Sequence, residues 1–285
     1  MGFTAHFAND SLLDKESTMM ARAESARDIL AQLPSRDQQV LSDLLRVRLL
    51  TGSQIERLHF DTGDGTSASR GSRRRRTMNR LTDLGLVTTL DRRIGGERAG
   101  STGLIYTLDA HGQRAFHGAH ASDRQRMRRP WSVGLSFTKH TLAVSELYVQ
   151  MRETERAGHI RLIDFLAEPA SWHSTAYGLL KPDAFVSWQQ SGWEQHLWIE
   201  VDRGTESLPT VRRQLMRYLD AVAVGDTGPD GVLPPVLVTV PNERRQAHIR
   251  HEILSLPAPA ADYFSVELFD TAISKATQEK PRPPP

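Results

Sequence analysis

The chain has 285 residues, 39% hydrophobic and 25% charged, a composition that suits one large or two ordinary globular domains. It has no cysteine, which excludes disulfides and thiolate metal sites and points to a reducing cytoplasm. Formal net charge is only +2, yet residues 36–130 hold 18 of the 36 Lys+Arg and 10 of the 34 Asp+Glu, a local net of +8. Clustered positive charge is the footprint of a phosphate-backbone partner. No apolar run reaches membrane-spanning length, and the start lacks a signal-peptide pattern, so no membrane partner is expected.

Residues 1–35 read as an N-terminal extension, with a helix over 16–33 ended by Pro34. Val40, Leu44, Leu45, Val47 and Leu49 form a helical stripe from about 36 to 50. Gly52 is expected to stop it, and Ser53 to cap a second helix, QIERLHF. Residues 61–71 read as a loop. SRRRRTMNRLTDLGLV is a third helix with Met78, Leu81 and Leu84 on one face and Gly85 closing it. VTTLDRR and GLIYTLD read as strands around IGGERAGST, and AHGQRAFHGA as a short helix.

This order over 36–120 resembles a winged helix-turn-helix domain. The resemblance implies that the third helix enters the major groove of double-stranded DNA, with Ser72 to Arg76 at its N-terminal end and Asn79 and Arg80 a turn later. Arg70, Arg73, Arg74, Arg75 and Arg76 crowd this window, and Arg92, Arg93 and Arg98 on the wing would lie beside flanking phosphates. The bland alternative is a solvated basic face. SDRQRMRRPW, inside 121–135, reads as a basic linker.

From 136 to 272 the elements read α-β-β-β-α-β-α-β, followed by a Pro-rich tail, 273–285, read as disordered. Pro182-Asp183 on the second strand and Glu200-x-Asp202 on the third resemble the PD-(D/E)xK, restriction-endonuclease-like fold, α/β (α+β) with a mixed central sheet. Alternate strand residues face one way, so Glu200 and Asp202 share a face, as do Lys181 and Asp183. If those faces meet, up to three carboxylates and one ammonium converge. Such acids repel unless a cation joins them, and Mg²⁺ or Mn²⁺ suits oxygen ligands and can activate water. Glu146 on the first helix is a further candidate acid. Gln214 and Tyr218 match the Q-x-x-x-Y helix motif of one nuclease branch. The pattern departs at residue 202, where aspartate stands in place of lysine; Lys181 is the nearby candidate to replace it.

The winged helix, the basic linker, KPDAFV and WIEVDRGTES together resemble the replication-relaxation proteins of bacterial plasmids and integrative elements. The likeness runs from about 36 to 270 and is strongest at 181–186 and 198–206. It implies duplex DNA as partner, with other replication or transfer proteins, and strand nicking by metal-activated water at Asp183, Glu200 and Asp202, or by a tyrosine nucleophile, Tyr177 or Tyr218. A dimer is compatible with the pattern. Against this stands a non-catalytic DNA-binding regulator or initiator whose nuclease fold is degenerate. A transcription factor with a ligand-sensing domain is a third reading, which requires a closed apolar pocket. His248 with His251 and His117 with His120 read as surface residues, and the tryptophans as strand and core residues.

Overall fold

The computed structural model describes residues 28–61, 65–93, 103–117, 134–231 and 233–278. Most of the expected 16–33 helix, the wing loop with Arg98, His120 and the basic linker lie outside them. The fold is mixed α/β and divides into two compact units, Met1–Leu135 and Ser136–Pro285.

In the first unit α1 is Ser35–Val47, β1 Leu50–Thr51, α2 Gly52–His59, α3 Ser67–Asp83, β2 Val87–Arg93, β3 Leu104–Leu108 and α4 Ala110–His117. β3 lies between β1 and β2 and is antiparallel to both. Val40, Leu41, Leu44, Ile55, Met78, Leu81, Ile105 and Leu108 form the core. Two expected boundaries shift. α1 ends at Val47 because Arg48 takes a left-handed φ of 71°, which frees Leu50 and Thr51 to pair with β3. Thr51, not Ser53, then caps α2: its hydroxyl accepts from the Gln54 amide, and the Gln54 side chain accepts from the Thr51 amide at 2.9 Å. This reciprocal pair satisfies two orphan helix donors. The expected 61–71 loop is also shorter, since Thr66 caps α3 through the Ser69 amide. The arginine run therefore sits mid-helix.

α3 closes as expected at Gly85. The amide of Leu86 donates to Leu81 O and that of Gly85 to Thr82 O, with Gly85 at φ +66°, a Schellman ending that needs a residue tolerant of positive φ. Gly112 has a different constraint. A Cβ there would lie 2.1 Å from the Leu86 carbonyl oxygen, so α4 packs on this turn only with glycine.

The second unit runs α5 Leu135–Arg156, β4 Arg161–Ala167, β5 His173–Thr175, β6 Gly178–Leu180, β7 Ala184–Gln190, β8 Trp193–Val201, α6 Leu208–Ala223, β9 Val236–Val240, α7 Glu243–Leu254, α8 Ala260–Tyr263, β10 Phe264–Leu268 and α9 Ala272–Gln278. The sheet order is β10-β9-β8-β7-β4. β4, β7 and β8 are antiparallel neighbours, while β8, β9 and β10 run parallel. Ser191 (φ 52°) and Gly192 (φ 84°) make the two-residue β7–β8 turn, the double positive φ that matches strand twist. Trp198, Phe185, Val238 and Val266 pack with Val211, Leu215, Tyr218, Ile249 and Ile253 of α6 and α7. Tyr148 of α5 packs at a tilt against Phe165 of β4, centroids 5.2 Å apart.

Three features depart from the expected order. A β5–β6 hairpin intervenes between β4 and β7. Residues 181–183 form a connection before β7, not part of it, so Lys181 and Asp183 follow no strand alternation. The expected disordered tail is helical through Gln278, because Ala272, Ile273 and Thr277 are buried.

Candidate functional site

α3 carries two kinds of arginine. Gly71, Arg74, Thr77, Met78 and Leu81 recur at helical spacing and face the core. Arg74 is only 1% exposed, with Nε 3.4 Å from Glu56 of α2. Burial lowers its pKa, opposed by Glu56. It is therefore a correction to the expected set of DNA-facing arginines: its guanidinium is spent inside the unit. Arg73, Arg76, Asn79 and Arg80 are exposed on the opposite side. Arg80 pairs with the fully buried Asp37, which also lies 3.5 Å from Arg36. Arg70 donates to the Gly65 carbonyl at 2.8 Å and lies 3.3 Å from Asp61. Arg75 donates to Ser72 Oγ at 2.9 Å. Arg92 and Arg93 are on β2; their side chains lie outside the described residues. Arg73 and Arg76 are left as exposed cations without an ion pair among the described residues.

The second constellation lies where β8 ends and β7 begins. Glu200 is in β8 on the same side as Trp198, and is 7% exposed. Gln214 and Tyr218, one helical turn apart on α6, both reach it. Gln214 Nε2 donates to Oε2 at 2.8 Å, and the Tyr218 hydroxyl donates to Oε1. The Trp198 and Tyr218 rings are 5.5 Å apart, fixing the phenol from behind. Burial, then the nearby Asp183 charge, push the Glu200 pKa well above its ordinary 4.5. Burial and Glu200 raise that of Tyr218, so it acts as a neutral donor and is poorly suited to be a nucleophile.

Asp183 is saturated too. His140 Nε2 of α5 lies 2.8 Å from Oδ1, and the Val201 amide donates to Oδ2 at 2.7 Å. The hydrogen bond to Asp183 raises the His140 pKa. Glu168 adds negative potential to both His140 and Glu200. Asp202, just past the end of β8, faces a different partner. Its Oδ2 accepts from Arg245 Nε of α7 at 2.6 Å and its Oδ1 from the Gly204 amide at 2.5 Å. Lys181 is exposed with Nζ 4.8 Å from the Trp172 ring centroid. Glu146 is half-buried on α5, about 9 Å along the helix from His140 at 1.5 Å per residue. Tyr177 is 68% exposed at the hairpin tip. His248 and His251 are exposed on α7.

The structure thus brings together Asp183, Glu200, Gln214 and Tyr218, and directs Asp202 to Arg245 and Lys181 to Trp172. The expected convergence of three carboxylates with an ammonium is not formed. Among the described residues no three His, Asp or Glu side chains are grouped to hold a metal ion. The four oxygens of Asp183 and Glu200 each face a hydrogen-bond partner, and burial together with the Asp183 charge disfavours the ionised form of Glu200. In the arrangement observed each of these oxygens is turned to a protein donor, and no third acid or histidine completes a metal-holding group among the described residues. His140, Arg245 and Glu56 are partners that sequence reasoning does not find. Each pairs with a residue 18 to 43 positions away, and no local spacing announces such a pair.

No helix among the described residues is long and apolar enough to cross a membrane. The family described as Replication-relaxation matches residues 41–236, more than half of the chain and part of both units. No curated protein and no solved structure matches.

Proposed function

Since the chain belongs to the replication-relaxation family, we propose that it binds duplex DNA during replication and relaxation of a mobile element, and that it does so without cutting. The first unit acts as a winged helix, with α3 as the helix that enters the major groove. The observation that carries this reading is the division of α3: Arg74 is consumed by Glu56 and Arg80 is paired with Asp37, while Arg73 and Arg76 stand exposed without an ion pair among the described residues. An exposed cation without a partner is free to take a phosphate or a base edge. The mixed sheet with helices α5, α6 and α7 supports reading the second unit as a restriction-endonuclease-like domain. Its acids are closed on protein donors, however, and Asp202 replaces the lysine that would hold the attacking water. Its role is then binding or assembly.

The test is duplex binding by fluorescence anisotropy across a salt series. Arg73→Ala with Arg76→Ala should weaken affinity and reduce the slope of log affinity against log salt by about one for every phosphate no longer held. An unchanged slope removes α3 from the interface. A second reading, metal-dependent nicking, is favoured by one observation: Gln214 and Tyr218 both reach Glu200, as the Q-x-x-x-Y resemblance implies. Incubation with supercoiled cognate plasmid, with Mn²⁺ and with chelator, decides between them. Nicked product that disappears with chelator overturns the non-cutting reading.

A further inference from the structure

The β5–β6 hairpin takes no part in the carboxylate constellation, yet it leads directly into it: Leu180 ends β6 and Asp183 follows three residues later. Its tip is Ala176-Tyr177. Tyr177 is the most exposed aromatic ring of the described residues, although both strands beside it are held firmly. The Thr175 hydroxyl accepts from the Tyr177 amide at 3.2 Å and donates to the Gly178 carbonyl at 2.7 Å. Asp226 accepts from the Ala176 amide at 3.3 Å. Arg217 of α6 donates to the Leu179 carbonyl at 3.1 Å. At the base of the hairpin Leu180 is buried in the core, and Lys181 stacks on Trp172. A large ring fixed outward by backbone hydrogen bonds loses little side-chain freedom when it meets a ligand.

One cation touches the hairpin and two more are near it in sequence. Arg217 reaches β6 two residues from Tyr177, Lys181 is four residues from it, and Arg213 is exposed one turn before Arg217, where it donates to the Thr210 hydroxyl at 3.2 Å. Two carboxylates are close. Asp226 is occupied by the amides of Ala176 and Thr227, and Asp220 is exposed three residues beyond Arg217. An aromatic platform flanked by Arg and Lys is the chemistry that holds unpaired nucleotides, a base stacking on the ring while cations follow the phosphates. In a duplex the base faces are already covered, so an exposed ring selects for single strands.

We propose that the β5–β6 hairpin, with Tyr177 as stacking platform and Arg217, Arg213 and Lys181 as phosphate contacts, is a docking site for single-stranded DNA. The site goes beyond the duplex contact proposed for α3. It would hold a displaced strand on the second unit, close in sequence to Asp183, while the first unit holds the duplex.

The test uses the full chain with a fluorescein-labelled oligothymidylate, which has no secondary structure, and a labelled duplex in parallel. Tyr177→Ala should weaken oligothymidylate binding by about fivefold to a hundredfold, the effect of removing one stacked base, and leave duplex affinity unchanged. Tyr177→Phe keeps the ring and should bind like wild type. Arg217→Ala should lower the single-strand salt slope by about 0.7. The Arg73→Ala, Arg76→Ala protein should behave in the opposite way, losing duplex and keeping oligothymidylate, so failure here and failure of the α3 interface are separable. Absence of oligothymidylate binding by wild type, equal loss of both ligands in Tyr177→Ala, or no loss in that variant would each overturn the proposal.

Discussion

Two charged clusters, one basic and one acidic, are handled differently by the two units. On α3 the run Arg73 to Arg76 is divided by the helix period, and only Arg74 turns inward to Glu56. At the end of β8 the acids Glu200 and Asp202 are both turned to protein partners, on α6 and α7 respectively. The basic cluster leaves part of its charge in solvent; the acidic one is turned to protein partners where it stands. The difference follows from burial. A helix on the surface can leave one face in water, whereas the end of a central strand is covered on the helix side, and an uncompensated acid there is expensive.

The contrast breaks most visibly at Arg74 and Arg76. Arg74→Ala removes the cation beside Glu56 and opens a gap behind α3, and should cost about 2–4 kcal/mol of unfolding free energy. Arg76→Ala, two residues away on the exposed side, should stay within about 0.5 kcal/mol of wild type. Denaturant melts of the two variants measure this directly. Equal stabilities would mean that the division of the helix into structural and free arginines is wrong.

This pair also marks the limit of what the sequence discloses. The order of elements is legible because hydrophobic period and turn residues are local: Gly85, the β2–β3 pair and the buried strand β9 all lie where the pattern predicts. Arg74 is not separable from its neighbours when α3 is started at Ser72, because the helix gains its first turn from the Thr66 cap and the run then falls mid-helix. Gln214 and Tyr218 are legible through their spacing, and both reach Glu200. Asp202 and Lys181 are misplaced relative to the carboxylates for two reasons. The strand alternation that aims them does not extend beyond Val201 or before Ala184, and their partners, Arg245 and Trp172, lie elsewhere in the fold.

The acidic cluster is sharpened by pH. A folded pKa above the ordinary 4.5 means native Glu200 keeps a proton that the unfolded chain releases. Its contribution is fully present below 4.5 and is lost as pH rises towards the folded value, at most about 1.4 kcal/mol per pH unit. His140 adds a loss of the same sign. Its raised folded pKa contributes stability that is complete below 6.5 and disappears as pH rises through the folded value. Stability should therefore fall as pH rises above 4.5, and further as it rises above 6.5. Glu200→Gln, which has no proton to exchange, should flatten the lower part of that fall and leave the part above 6.5. Parallel wild-type and variant curves would show that Glu200 is ionised in the native protein, and would reopen the site to a cation.

The smallest effect concerns Lys181, the residue best placed by sequence to substitute for the lysine missing at 202. Its ammonium is over Trp172, in a connection where no strand alternation aims it at Asp183. A cation over an aromatic face at an exposed position is worth about 0.5–1 kcal/mol, and that should be the whole stability cost of Lys181→Met. A double-mutant cycle separates the two possible partners. Coupling to Trp172→Leu should recover most of that small energy, and coupling to Asp183→Asn should be indistinguishable from zero, since Asp183 already has His140 and the Val201 amide. A coupling to Asp183 larger than that to Trp172 would place the ammonium at the carboxylates after all. It would make the acidic end of β8 resemble α3, where part of the charge is left outside the pairs that hold the fold.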